Sequence, residues 1–217
     1  MKSAERTKKL VTMAMLTAMA YMVMVLVKVP VVLFLKYEPK DVILTLGALI
    51  YGAPAGLLMS AVVALIEMVT VSETGIIGCL MNFLSSAAFL LPVTVIYRKK
   101  RSFSSALVGL TLSVVFTTGV MLLWNYFITP LYMEVSRDVV AGLLVPAFLP
   151  FNLVKSGLNS GIILLLYKPL VRTLQCARLL PAEGHERIGE RSLAVVYLSL
   201  AIIAVFVLLI LVMKGVI

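Results

Sequence analysis

The stretch Pro150-Phe151-Asn152-Leu153-Val154-Lys155-Ser156-Gly157-Leu158-Asn159 lies inside a long apolar run, Val140 to Tyr167. A run of that length reads as a transmembrane helix. An ammonium group inside one costs about 3 kcal/mol on insertion scales, so such residues point to function by default. In a helix, Asn152, Lys155, Ser156 and Asn159 fall at i, i+3, i+4 and i+7 and share one face. Pro150 suits a first-turn position, where no N–H is needed. A helix start there leaves backbone donors free near Asn152. Two carboxamides, a hydroxyl and a cation make a recognition surface for a polar, ring-like or carbonyl-bearing solute. The bland alternative is a lysine that snorkels to the interface beside two asparagines that join helices.

The rest of the chain has the same character. Of its 217 residues, 62% are hydrophobic and 13% charged, against about half and a quarter in soluble domains. This is an integral membrane protein with room for about six or seven spans. The net charge of +9 sits beside apolar spans and orients the chain, so nucleic acid is not the expected partner. The N-terminal run lacks a small-residue cleavage site and reads as a retained helix. Cys79 and Cys176 are expected in different compartments, hence neither a disulfide nor a metal site is predicted.

The expected spans are Leu10 to Val32, a short pair Val42 to Tyr51 and Ala55 to Val71, Gly78 to Tyr97, Ala106 to Tyr132, Val140 to Tyr167, and Leu193 to Met213. Ala14 and Ala18, one turn apart, allow close helix approach, or are simply common residues of apolar helices. Lys36 to Asp41 reads as an outer loop, with Asp41 as the N-cap of the next helix. Glu67 is an interfacial carboxylate or a pocket group. Glu73 to Gly75 is a loop. Gly157 and Gly161 form a close-packing face on the far side of the Asn152 helix.

Lys2, Arg6, Lys8 and Lys9, the Arg98 to Arg101 cluster, and the basic residues from Lys168 to Arg191 all belong to one side, the inside. The N-terminus is therefore expected in the cytoplasm. That topology carries Glu38, Asn125, Asn152 and Lys155 to the outer face, where aromatic residues surround them. The result is a mostly apolar pocket with a few placed polar groups. Phosphate-loop motifs are absent, and no paired carboxylates, His cluster or Ser–His pair lies in the spans, so catalysis is not expected. A binding pocket with no engine suggests a capture subunit.

At these residues the chain resembles the substrate-binding S components of energy-coupling-factor (ECF) vitamin transporters, most closely the riboflavin-specific type. The resemblance runs from about Leu10 to Leu170. It rests on Phe34-Leu35-Lys36 through Asp41, Leu46-Gly47-Ala48-Leu49-Ile50-Tyr51-Gly52, Met81-Asn82-Phe83-Leu84, Asn125-Tyr126-Phe127 with Pro130-Leu131-Tyr132, and Leu149 to Lys155. It implies an all-α membrane fold, a six-helix bundle at 1–171 that binds its vitamin from outside without a catalytic cofactor. A basic cytoplasmic loop at 172–191 and an extra transmembrane helix at 192–217 would follow. Asn125, Asn152 and Lys155 would meet the uracil-like edge of riboflavin, with Tyr126 and Phe151 against the ring plane and Glu38 and Asn82 near the ribityl chain. The implied partners are the bilayer, a transmembrane coupling subunit that docks at Ala14 and Ala18, and two ATP-hydrolysing subunits. The outer loop departs from the family by carrying Glu38, Pro39 and Lys40 where Asp and Ser are usual. The seventh helix carries no ionisable residue and is expected to be dispensable for capture. The rival readings are an S component for another vitamin or flavin analogue, and an ATP-independent carrier.

Overall fold

Apolar stretches separated by Gly, Pro and charged residues give a helical bundle. The computed structural model describes residues 2–32, 35–71, 74–176 and 193–213. In chain order the elements are α1 (Lys2–Leu26), β1 (Val29–Val32), β2 (Leu35–Tyr37), α2 (Lys40–Tyr51), α3 (Ala53–Thr70), α4 (Gly75–Lys100), α5 (Phe103–Met133), α6 (Arg137–Leu143), a π-helical turn (Leu144–Phe148), α7 (Leu149–Cys176) and α8 (Leu193–Met213). Among the described residues, six segments are long and apolar enough to cross a membrane: α1, α3, α4, α5, the continuous α6–α7 rod and α8. The protein is an all-α multi-pass membrane protein carrying one small hairpin.

The 12-residue α2 is the exception to spanning length. It packs against α1, α3, α4 and α7, and most of its residues are buried. A helix apolar all round belongs in a core. Gly52, with φ +102, turns the chain from α2 into α3, a conformation that suits glycine. Gly56 then lies against Ala48, where a Cβ would collide. Pro92 interrupts α4, and the Val93 N–H donates to Ser113 Oγ on α5 at 3.1 Å. Such a bond ties two spans together where water is absent.

Three expectations need correction. The first span does not reach Val32: α1 stops at Leu26, and residues from Val29 turn into an antiparallel hairpin that pairs Val29 with Tyr37 and Val32 with Leu35. Pro30 cannot continue a helix, and Val29, Val31 and Val32 favour the pleated form. Asp41 is not an N-cap; Pro39 holds that position without a side-chain cap bond. Pro150 does not open a new helix, because α6, the π-helical turn and α7 run on without a break. Pro146 and Pro150 lack the N–H of a regular ladder, and the wider turn that holds Pro146 and ends just before Pro150 accommodates that loss.

Gly157 and Gly161 do form a packing face, and its occupant is α8. A Cβ on Gly157 would run into the Phe206 ring, and one on Gly161 would meet Ile203 at 2.9 Å. The pairing of 157 with 206 and 161 with 203 makes α7 and α8 antiparallel. Of the basic loop expected at 172–191, residues 172–176 continue α7. The remainder, with His185, lies outside the described residues, as do Phe34 and Glu73.

Candidate ligand-binding site

The hairpin, the last turn of α3 and the facing parts of α4, α5 and α7 enclose one cavity of ≈ 390 Å³. That is within the ~300–1,000 Å³ typical of small-molecule sites. Its lining includes Lys28, Leu35, Lys36, Glu38, Glu67, Met81, Asn82, Ser85, Met121, Asn125, Phe151, Asn152 and Lys155. Six of the seven ligand-binding candidates from the sequence thus border one space: Glu38, Asn82, Asn125, Phe151, Asn152 and Lys155. Tyr126 is not among its lining residues. Its half-buried ring packs edge-on against Phe127, with centroids 5.0 Å apart.

Asn152 and Asn125 are each held by their own helix. Asn152 Nδ2 donates to the Phe148 carbonyl at 2.8 Å, one turn back. Its Oδ1 accepts no hydrogen bond among the described residues, and Asn152 lines the cavity. Asn125 Nδ2 donates to the Met121 carbonyl at 2.6 Å, while its Oδ1 accepts from Thr129 Oγ1 at 2.9 Å. Both carboxamides are buried, so their orientation is set before a ligand arrives. Asn159 lies deeper and accepts from the Tyr37 hydroxyl at 2.9 Å. That bond pins β2 to α7. Burial, with the Asp41 carboxylate adding to it, pushes the Tyr37 phenol well above its usual range, and the hydroxyl stays a donor.

Lys155 does not snorkel. Its ammonium lies 3.3 Å from Asp41 Oδ2 and 3.4 Å from Ser85 Oγ, and Ser86 Oγ donates to the other Asp41 oxygen at 2.5 Å. A second ladder runs from Lys28 to Glu38 (3.7 Å), from Glu38 to Lys40 (3.3 Å) and from Lys40 to Glu67 (2.5 Å). The site therefore sets three lysines against three carboxylates. Reading by local signals misses Asp41 and the Lys40–Glu67 pair. The signal available is physical: a buried ammonium demands a buried anion, and Asp41 and Glu67 are the carboxylates of the neighbouring apolar segments. Glu67 is thereby a pocket group and not an interfacial one, being 6% exposed.

Ala14 and Ala18 lie far from this chemistry, on an exposed face of α1 shared with Met15, Met19 and Met22. Cys79 and Cys176 are free thiols.

The comparisons with known proteins agree with this architecture. Residues 8–167 match the family described as "ECF transporter, substrate-specific component". The riboflavin transporter RibU of Staphylococcus aureus (strain TCH60) is 32% identical over 180 residues, covering 79% of this chain and 94% of that protein. The riboflavin transporter FmnP of Bacillus subtilis (strain 168) is 28% identical over 189 residues, covering 80% of this chain and 99% of its own. A solved S component of a bacterial ECF transporter superimposes with a TM-score of 0.67 at 31% identity, over 78% of this chain and 99% of that one. The family match ends before α8 begins. The chain belongs to the family of substrate-specific S components of ECF transporters.

Proposed function

We propose that this S component captures riboflavin from the outer side of the membrane and passes it to an ATP-driven ECF complex. The observation that carries this reading is the convergence of Asn152, Lys155, Asn125 and Phe151 on one cavity. The isoalloxazine ring has a flat apolar end and a uracil-like edge, with carbonyls flanking an N–H. Asn152 Oδ1 accepts from that N–H, Lys155 donates to a flanking carbonyl, and the Phe151 ring lies against the plane. Asn82 and Glu38 meet the ribityl hydroxyls. The names of both relatives point the same way.

The chain carries no phosphate-binding loop, so hydrolysis of ATP falls to partners: two ATP-hydrolysing subunits joined through a transmembrane coupling subunit. The exposed Ala14 and Ala18 let a partner helix approach α1 closely. The basic clusters put the N-terminus in the cytoplasm and the hairpin outside. The test is the spectrum of protein purified from cells without added ligand. A yellow, flavin-absorbing preparation whose extracted chromophore is riboflavin is expected. A colourless preparation that releases another vitamin would overturn the choice of riboflavin, and uptake into liposomes holding this chain alone would overturn the need for an engine.

A further inference from the structure

The helix α8 lies beyond the family match, yet it packs directly behind the wall of the cavity. Leu35 of the hairpin and Phe151 of α7 both line the cavity. The same two side chains belong to an apolar cluster with Val31, Tyr37 and Ile210, and Phe206 packs against that cluster. α8 also touches β1 directly. Phe206 itself fills the notch left by Gly157. The antiparallel path of α8 thus brings its C-terminal half under the hairpin while its middle keys into α7. A hairpin of two short strands has little stability of its own, and its position depends on what it packs against.

We propose that α8 is a built-in clamp, with Phe206 and Ile210 as positioning residues that hold the hairpin closed over the bound ligand. The clamp acts through Leu35 and Phe151 and touches no ligand itself. Opening the hairpin requires breaking its contacts with α8, and a ligand enters and leaves through the opened form, so the clamp slows exchange in both directions. The sequence alone predicts a dispensable helix, since α8 has no polar group facing a ligand; the clamp proposed here departs from that expectation. The ligand assigned to the clamp rests on the reading of the cavity as a riboflavin site, whereas the clamp on the hairpin does not.

The experiment uses the full chain in detergent and two readouts. Backbone hydrogen exchange over residues 29–37 reports hairpin opening without ligand. Riboflavin fluorescence in a rapid-mixing instrument gives separate on- and off-rates. Phe206→Ala/Ile210→Ala is expected to raise hairpin exchange and to speed riboflavin entry and release together, each by about tenfold. Phe206→Leu should restore most of the wild-type behaviour, and Leu208→Ala, on the exposed face of α8, should change neither readout. Should the double variant not fold, the two single alanine variants are read in the same way. Unchanged hairpin exchange in a folded variant overturns the clamp. Raised hairpin exchange with neither riboflavin rate changed overturns it too. If the wild type binds no riboflavin, the exchange readout alone decides: raised exchange supports the clamp while the ligand assignment falls.

Discussion

Lys40 and Glu67 meet where neither has water to fall back on, at 2% and 6% exposure. An ion pair in that setting adds little net stability. Removing Glu67 leaves Lys40 with Glu38 alone, at 3.3 Å, so the cost stays below the about 3–5 kcal/mol of a fully stranded charge. Glu67→Ala should therefore lower the melting temperature in detergent, and Lys40→Met/Glu67→Leu should recover part of the loss. A double variant as unstable as the single one would show that Glu67 acts through something other than Lys40. Single residues were legible in the sequence where burial carries a cost visible locally. Asn152 and Lys155 stand out because polar groups in an apolar run are expensive. Asp41 was not legible, because an acidic residue before an apolar helix also reads as a cap, and its partners Ser86 and Lys155 are distant in the chain.

Elements were legible according to length. The long apolar runs gave α4, α5, α7 and α8 nearly as expected, since few other structures satisfy a backbone in lipid. The hairpin was not legible: four residues of Val29-Pro30-Val31-Val32 are too few to separate a strand from the end of a helix. The burial of α2 followed from its shortness only once its neighbours were known. α1 differs in leaving one face open, with Ala14 and Ala18 at its centre. Ala14→Trp or Ala18→Trp is expected to leave riboflavin binding intact and to abolish uptake in cells that hold the whole transporter, since a bulky ring forbids close helix approach. Uptake at the wild-type rate in both variants would remove this face as the dock.

The molecule as a whole combines a family core with an added helix, and the distribution of its basic residues predicts a cytoplasmic N-terminus. In a Cys79→Ala/Cys176→Ala background, Ser136→Cys should react with a membrane-impermeant maleimide in intact cells, and Ser104→Cys only after permeabilisation. Ser136 precedes α6 and Ser104 lies in the first turn of α5, both exposed, and the reverse pattern would invert the topology. The sequence carried enough to predict a six-helix core and an extra span, but not that the extra span backs the cavity wall, because contacts between apolar helices leave no periodic polar signal. The central claim is that Asn152 and Lys155 hold riboflavin in the cavity beneath the hairpin. Its most direct measurement is a fluorescence titration of riboflavin into purified wild-type protein and into Asn152→Ala/Lys155→Ala. Removing a partner from a buried polar contact costs about 1–3 kcal/mol each. The wild type should therefore quench one equivalent of riboflavin, and the folded double variant should bind at least about tenfold more weakly. Equal affinity in the two proteins would contradict the account.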